Sequence, residues 1–308
     1  MELSAWQQAG AYFTYQGQRY FYRVEGEGPA LLLLHGFPTA SWDWAKIWPF
    51  LVPHYRVYAL DFLGFGFSDK PRHYAYSVGR QADAVEALTT HLGMAKTHVL
   101  AHDYGDTVAQ ELIARSQEQS LSFGLESVTF LNGGMFPETH RPLLVQRLLM
   151  SPLGPWVSHL FTKDKLTKNF HRIFGPNTLP TTTEMDAFWA LLTHNEGRRI
   201  FHLLIRYMRE RQRHRARWVG GVQTTKIALL LINGLHDPIS GEHMVERYCA
   251  LVPDPQVVRL PTIGHYPQIE GPNKVVEAFL AFQRSLQVDK NAYRTSGQGK
   301  GGGIFFLY

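Results

Sequence analysis

Cysteine is almost missing from this chain: Cys249 is the single one in 308 residues. A lone thiol excludes an intrachain disulfide framework and fits a reducing compartment, so a cytoplasmic location is expected. Long apolar runs are missing as well. Stretches such as Ala30–Leu34 are far too short to cross a bilayer, and Met1–Gly10 has no basic segment followed by an apolar one. Neither a membrane span nor a signal peptide is therefore expected. Internal repeats are absent. The glycines of Leu63-Gly64-Phe65-Gly66-Phe67-Ser68 begin like a dinucleotide fingerprint, but no third glycine opens a helix, which argues against nucleotide binding. Much of the net charge of +5 comes from Arg206–Arg217, RYMRERQRHRAR. No nucleic-acid motif accompanies that cluster, so it reads as a solvated helix face and no nucleic-acid partner is expected. No cofactor and no metal is expected.

What the chain does contain is an ordinary soluble composition, 44% apolar and 19% charged, at a length that suits one large domain with an insertion. Gly10–Tyr15 and Gln18–Val24 alternate aromatic and polar residues around Gln16-Gly17 and predict an antiparallel hairpin. Pro29–Leu34, Tyr55–Asp61, Leu125–Leu131, Ile227–Asn233 and Gln256–Leu260 predict further strands. Helices are predicted at Trp42–Leu51, Val78–Leu92 and Asn273–Gln287. Strands that alternate with helices imply a mostly parallel sheet. Residues 136–220 break the alternation, with many helix formers and no clear strand. A helical cap is expected there, inserted into a core made of 1–135 and 221–287. The last stretch, 288–308, includes a Gly/Lys-rich segment that cannot bury a core, and it is expected to be disordered.

The chain is organised around Thr97–Ile113, THVLAHDYGDTVAQELI. An apolar strand, Val99-Leu100-Ala101, runs into a polar turn, His102-Asp103-Tyr104-Gly105, and then into a helical pattern. Strand, tight turn and helix with small residues on either side is the context of a nucleophile elbow, and Asp103 holds the nucleophile slot. The helix N-terminus behind it favours negative charge. A base is expected in His265, in the loop after the strand Gln256–Leu260. Asp237, after the strand Ile227–Asn233, is the acid that would orient it. All three loops leave the carboxyl ends of parallel strands, where open α/β sheets place their sites. Backbone N–H groups of Phe37 and Tyr104 are the expected oxyanion donors.

Together these residues resemble the α/β-hydrolase superfamily, and within it the branch with an aspartate nucleophile, the epoxide hydrolases and haloalkane dehalogenases. The resemblance rests on His35-Gly36-Phe37-Pro38, on the Asp61–Ser68 segment, on Ala101-His102-Asp103-Tyr104-Gly105, and on Asp237 and His265. The words LDFLGFGFSDKPR and RWVG are similar to those of the mesoderm-specific transcript group of hydrolases. The resemblance implies an α/β-hydrolase fold, a mostly parallel eight-stranded sheet with an inserted helical cap. It implies an alkyl ester on Asp103, which water activated by His265 then hydrolyses. The partners would be a small apolar molecule, an epoxide or alkyl halide, and water. His35, Pro38, His102 and Tyr266, with Trp156 and Trp189 of the cap, are expected to line the substrate pocket.

The two leaving groups ask for different donors. An opening epoxide wants an acidic O–H, and a halide wants N–H groups, typically Trp or Asn. Tyr104 stands where many dehalogenases, and usually epoxide hydrolases as well, have Trp, and Phe37 where many dehalogenases have Asn. Arg206-Tyr207-Met208-Arg209-Glu210-Arg211 resembles the cap segment that carries a catalytic Tyr in epoxide hydrolases, which points to Tyr207. A second cap Tyr, usual in those enzymes, is missing. Trp156, Trp189 and Trp218 keep a halide site open. The sequence therefore favours epoxide hydrolysis to a vicinal diol, with haloalkane dehalogenation as the alternative. A non-catalytic ligand-binding homologue is a third reading, which the intact triad disfavours.

Overall fold

The structure, a computed structural model, describes residues 1–297, with side chains through Val288. Its strands are β1 (Ala11–Tyr15), β2 (Gln18–Glu25), β3 (Ala30–Leu34), β4 (Arg56–Leu60), β5 (Lys96–Ala101), β6 (Gly124–Phe130), β7 (Ala228–Gly234) and β8 (Val257–Leu260). They form one eight-stranded sheet in the order β1-β2-β4-β3-β5-β6-β7-β8. The β1–β2 and β2–β4 pairs are antiparallel, and every later pair is parallel. The hairpin turn at Gln16-Gly17 has positive φ at both residues, as a tight two-residue connection requires.

Both faces of the sheet are covered, which is why its central strands read as unbroken apolar runs. Leu32 and Leu34 of β3 point into one core, with Val99 and Ala101 of β5. Leu31, Leu33 and Leu100 point into the other. The helices that pack on these faces are α1 (Leu3–Gln8), α2 (Trp48–Leu51), α3 (Val78–His91) and α4 (Tyr104–Gln117). Between β6 and β7 lie α5 (Leu144–Met150), α6 (Gly154–His159), α7 (Lys163–Ile173), α8 (Thr182–Thr193), α9 (Phe201–Leu204), α10 (Tyr207–Arg213) and α11 (Arg215–Thr224). The chain returns through α12 (Glu242–Leu251), α13 (Pro267–Glu270) and α14 (Pro272–Gly297). No helix among the described residues is long and apolar enough to cross a membrane.

Two expectations change in detail. The helix expected over Trp42–Leu51 is a 3₁₀ turn at Ser41–Trp44 followed by the separate α2. Pro49 has no N–H to give to the carbonyl four residues back, so a single α-helix cannot run through this stretch. The final helix does not stop at Gln287 but continues to Gly297, because no breaker intervenes before that glycine. The stretch 288–297, expected to be disordered, is drawn as part of this helix, and 298–308 lie outside the described residues.

The helix that positions the site is α4. Every residue from Tyr104 to Ala114 is buried, between the sheet, α3 and α11. Glu111 of α4 accepts from Trp218 Nε1 at 2.7 Å and Arg217 Nε at 2.8 Å of α11, and from Arg115 Nε at 3.0 Å. Burial raises the Glu111 carboxyl, but those donors outweigh it and hold the group below its usual value. A buried carboxylate with these donors is held firmly, and it ties α11 to the helix behind Asp103.

Candidate active site

Asp103 sits between β5 and α4 with φ 46° and ψ −97°, a conformation that L side chains rarely adopt. Such a residue stores on the order of 1–3 kcal/mol of strain and persists only where the surroundings over-determine it. They do here. Asp103 N–H donates to Asn132 O at 3.1 Å, and Gly105 N–H donates to His102 O at 2.8 Å and His35 O at 3.0 Å. A Cβ on Gly105 would come within 2.1 Å of Leu34 O, so the small residue two places after Asp103 is a steric demand of the strand beside it.

Asp103 Oδ2 accepts the N–H of Phe37 at 3.1 Å, which places one expected oxyanion donor on the carboxylate. The Phe37–Pro38 peptide is cis. Tyr104 opens α4, so its N–H is among those a helix leaves without an intrahelical partner. Tyr207 reaches Oδ2 with its hydroxyl at 3.5 Å, its ring edge-on to Tyr104 at 4.7 Å between centroids. His265 Nδ1 lies 2.7 Å from Asp237 Oδ2. Asp237 also accepts from Ile239 N–H, Ser240 N–H, Ser240 Oγ–H and Asn132 Nδ2. A carboxylate saturated in this way cannot rotate, and it fixes the imidazole with Nε2 free for the cavity.

The charges follow from these contacts. Burial pushes Asp237 up, but the His265 charge and hydrogen bond win and hold it at about 2. Burial lowers His265, and the Asp237 charge, the Asp237 hydrogen bond and the Asp103 charge raise it to about 8. Burial likewise works against the Asp103 carboxylate, yet Arg211, then His265 and His102, hold the group below its usual range. Asp106, one turn into α4, goes the other way: burial and then the Asp103 charge push it well above the carboxylate range. Two buried acids three residues apart are thereby pushed in opposite directions.

Arg211 is the functional residue that the sequence reading missed. It belongs to the cluster read as a solvated face, and its neighbours Arg206, Arg209 and Arg213 are indeed exposed. Arg211 itself is buried. Its Nη2 donates to Asp103 O at 2.9 Å and Oδ1 at 3.3 Å, and its Nε to Thr107 Oγ1 at 2.7 Å. Its guanidinium lies 4.6 Å from the Tyr207 ring centroid. The available signal was spacing: Tyr207 and Arg211 are four apart on α10 and share one face.

A narrow cavity of about 50 Å³ meets Asp103 and His265, with Phe37 and Pro38 on one side and Phe161, Phe170 and Phe201 among its apolar walls. His140 also lines it, a second residue the sequence reading missed. Burial and then the Arg211 charge lower His140 to about 4, so its ring is neutral at ordinary pH. The larger groove of about 690 Å³ between α1 and α8 holds no triad residue. Of the other expected pocket residues, His35, His102 and Tyr266 stand behind the wall. His35 accepts the Phe62 N–H at Nε2 and donates from Nδ1 to Gly36 O. His102, lowered to about 3 by burial and His265, donates from Nε2 to His265 O at 2.8 Å. Tyr266 packs between Phe170 and Phe174 and donates to Phe37 O at 3.4 Å. Trp189 is half-buried, Trp156 is exposed, and neither lines the cavity.

An eight-stranded sheet carrying a strained acidic elbow, a His–Asp pair and a backbone N–H on the elbow carboxylate marks a candidate hydrolase site. The chain belongs to the alpha/beta hydrolase fold family, which residues 29–272 match. It is 42% identical over 296 residues to the mesoderm-specific transcript protein of Mus musculus, covering 92% of this chain and 88% of that one. It is 26% identical over 274 residues to haloalkane dehalogenase 2 of Mycobacterium bovis, covering 85% of this chain and 90% of that one. The solved structure of the epoxide hydrolase CorEH superposes with a TM-score of 0.74 at 19% identity, over 90% of this chain and 99% of that one, a likeness of fold.

Proposed function

We propose that this hydrolase uses Asp103 as a nucleophile at a saturated carbon and that its substrate is a small apolar epoxide. The observation that carries the reading is the buried meeting of Asp103 Oδ2 with the hydroxyl of Tyr207 beside the cavity. A phenol beside a carboxylate nucleophile suits an opening epoxide, whose oxygen must gain a proton as its bond to carbon breaks. Oδ2 is taken by the Phe37 N–H, which leaves Oδ1, held among the described residues only by Arg211 Nη2 at 3.3 Å, as the attacking oxygen. The C–O bond of the ring breaks, Tyr207 protonates the alkoxide, and Asp103 is left as an ester. His265 then takes a proton from water as that water adds to the ester carbonyl. The Phe37 and Tyr104 N–H groups hold the resulting oxyanion; as the intermediate collapses the leaving alkoxide takes the proton from His265, and the proton left on the Asp103 carboxyl returns to the Tyr207 phenolate, so the diol departs and the resting site is restored.

None of the seven tryptophans lines the cavity, so no indole N–H is offered to a halide. The dehalogenase reading stands second, because His140 and Asn169 present N–H groups there. The test is the mass of the protein after incubation with epoxide and bromoalkane panels. His265→Gln should stop at the ester and accumulate an adduct on Asp103. An adduct mapped elsewhere, or none with any reagent, removes Asp103 from the role. An adduct from bromoalkanes alone moves the reading to dehalogenation.

A further inference from the structure

Among the described residues, ten large apolar side chains are exposed, and five of them fall on α5, α6 and their connection: Leu144, Leu148, Leu153, Trp156 and Leu160. Leu144, Leu153, Trp156 and Leu160 are 72%, 59%, 73% and 61% exposed, so this is a free face and not a grazed core. Leu144 and Leu148 are one turn apart on α5, as are Trp156 and Leu160 on and just after α6. The opposite side of α5 is spoken for: Leu143, Val145, Gln146 and Leu149 line the catalytic cavity. A clustered apolar face of this kind on an otherwise soluble surface marks a docking site.

The charge around the face selects the partner. Residues 141–168 hold five Lys/Arg and a single acid, Asp164. Arg147 is exposed on α5 between the two leucines. Lys165 donates to Leu160 O at 3.0 Å, and Arg209 donates to Met150 O at 2.6 Å, which seats both at the edge of the face. In a two-fold contact with a second copy, these cations would face their own equivalents across an apolar patch, a repulsive arrangement. An anionic lipid surface meets both demands, taking leucine and indole at the headgroup boundary and pairing the cations. We propose that the outer face of α5 and α6 docks on lipid surfaces that carry anionic headgroups, with Trp156 at the boundary.

The test is flotation of the full chain with vesicles of phosphatidylcholine, with and without phosphatidylglycerol. It needs no substrate and stands whatever reaction Asp103 performs. Wild type should float with the anionic vesicles and release as salt rises. Leu153→Ser with Trp156→Ser should weaken partition by roughly tenfold or more, through lost apolar burial. Arg147→Glu, which reverses one charge near the surface, should weaken it by a similar factor. Both sets of side chains are exposed, so thermal melts should match wild type. Brominated lipid should quench wild-type fluorescence, and Trp156→Phe should lose that quenched fraction. No flotation of wild type, equal flotation of the variants, or a dimer without vesicles that Leu153→Ser with Trp156→Ser dissolves would each overturn the proposal.

Discussion

Arg211→Met separates two roles that the guanidinium combines. The change removes the charge that does most, after burial is set against it, to keep Asp103 ionised. At 3.3 Å and an effective dielectric of about 20 the pair attracts by roughly 5 kcal/mol, from which desolvation of the two groups subtracts. Three hydrogen bonds go with it, to Asp103 O, Asp103 Oδ1 and Thr107 Oγ1. Asp103 then keeps His265 as its main charged support, and its affinity for a proton must rise. A less stabilised carboxylate is also a better nucleophile. The two effects oppose each other at low pH, and at high pH, where Asp103 is ionised in both proteins, only the second remains. Single-turnover alkylation measured across pH should therefore show the acid limb of Arg211→Met displaced upward. Its high-pH plateau should equal or exceed that of wild type. Folding should weaken by about 3–5 kcal/mol, the cost of leaving one buried partner unpaired. Arg211→Lys restores charge without the fork and should recover most of the acid limb. A profile for Arg211→Met that overlays wild type would refute the reasoning.

The other expectations concern the remaining members of the site. Asp237→Asn should lower turnover by about 10³–10⁴-fold with the fold intact, since the tautomer of His265 is no longer fixed; near-normal turnover with a normal melt would remove Asp237 from the triad. Tyr207→Phe should slow epoxide alkylation of Asp103 by ~10²–10⁴-fold and leave bromoalkane alkylation nearly unchanged, measured by rapid-quench mass spectrometry. His265 binds its proton more tightly folded, at about 8, than unfolded, at about 6.5. Its contribution, on the order of 2 kcal/mol, is fully present below pH 6.5 and is lost as pH rises through 8. Wild type should lose a few degrees of melting temperature across that window, and His265→Gln should not.

Much of this was legible along the chain because the relevant signals are local. Alternation in β1 and β2, the apolar runs of β3 and β7, and the sharp turn at Asp103 are set by neighbours a few residues away. Asp237 and His265 were legible because a strand end before a loop is itself a local pattern. What was not legible was set by packing between distant segments. Arg211 looks like any of its basic neighbours until α10 is laid against α4, 104 residues back along the chain at Thr107. Trp156 was assigned to the pocket on its side-chain chemistry, yet the face of α6 that turns inward is decided by how α6 packs on α9. His102 and Tyr266 were near the right atoms but in the wrong layer: they brace the loops of His265 and Phe37 from behind.

In the reaction proposed for Asp103, its clasp with Arg211 would also make the protein a reporter of its own progress. In the resting chain a full anion faces the guanidinium. In the proposed reaction alkylation would turn that anion into a neutral ester, and no backbone atom need move for the clasp to lose its meaning. Arg211 is then a buried cation whose remaining acceptors, Thr107 and the carbonyl of Asp103, carry no charge. Such a cation gains by meeting solvent. Lifting of α10 or entry of water beside Arg211 would each supply it, and each brings solvent to the ester at the stage that consumes it. His265 receives the same signal, since the lost charge is one of those that raise its proton affinity. A single change of charge at Asp103 would thus open the door and free the base together.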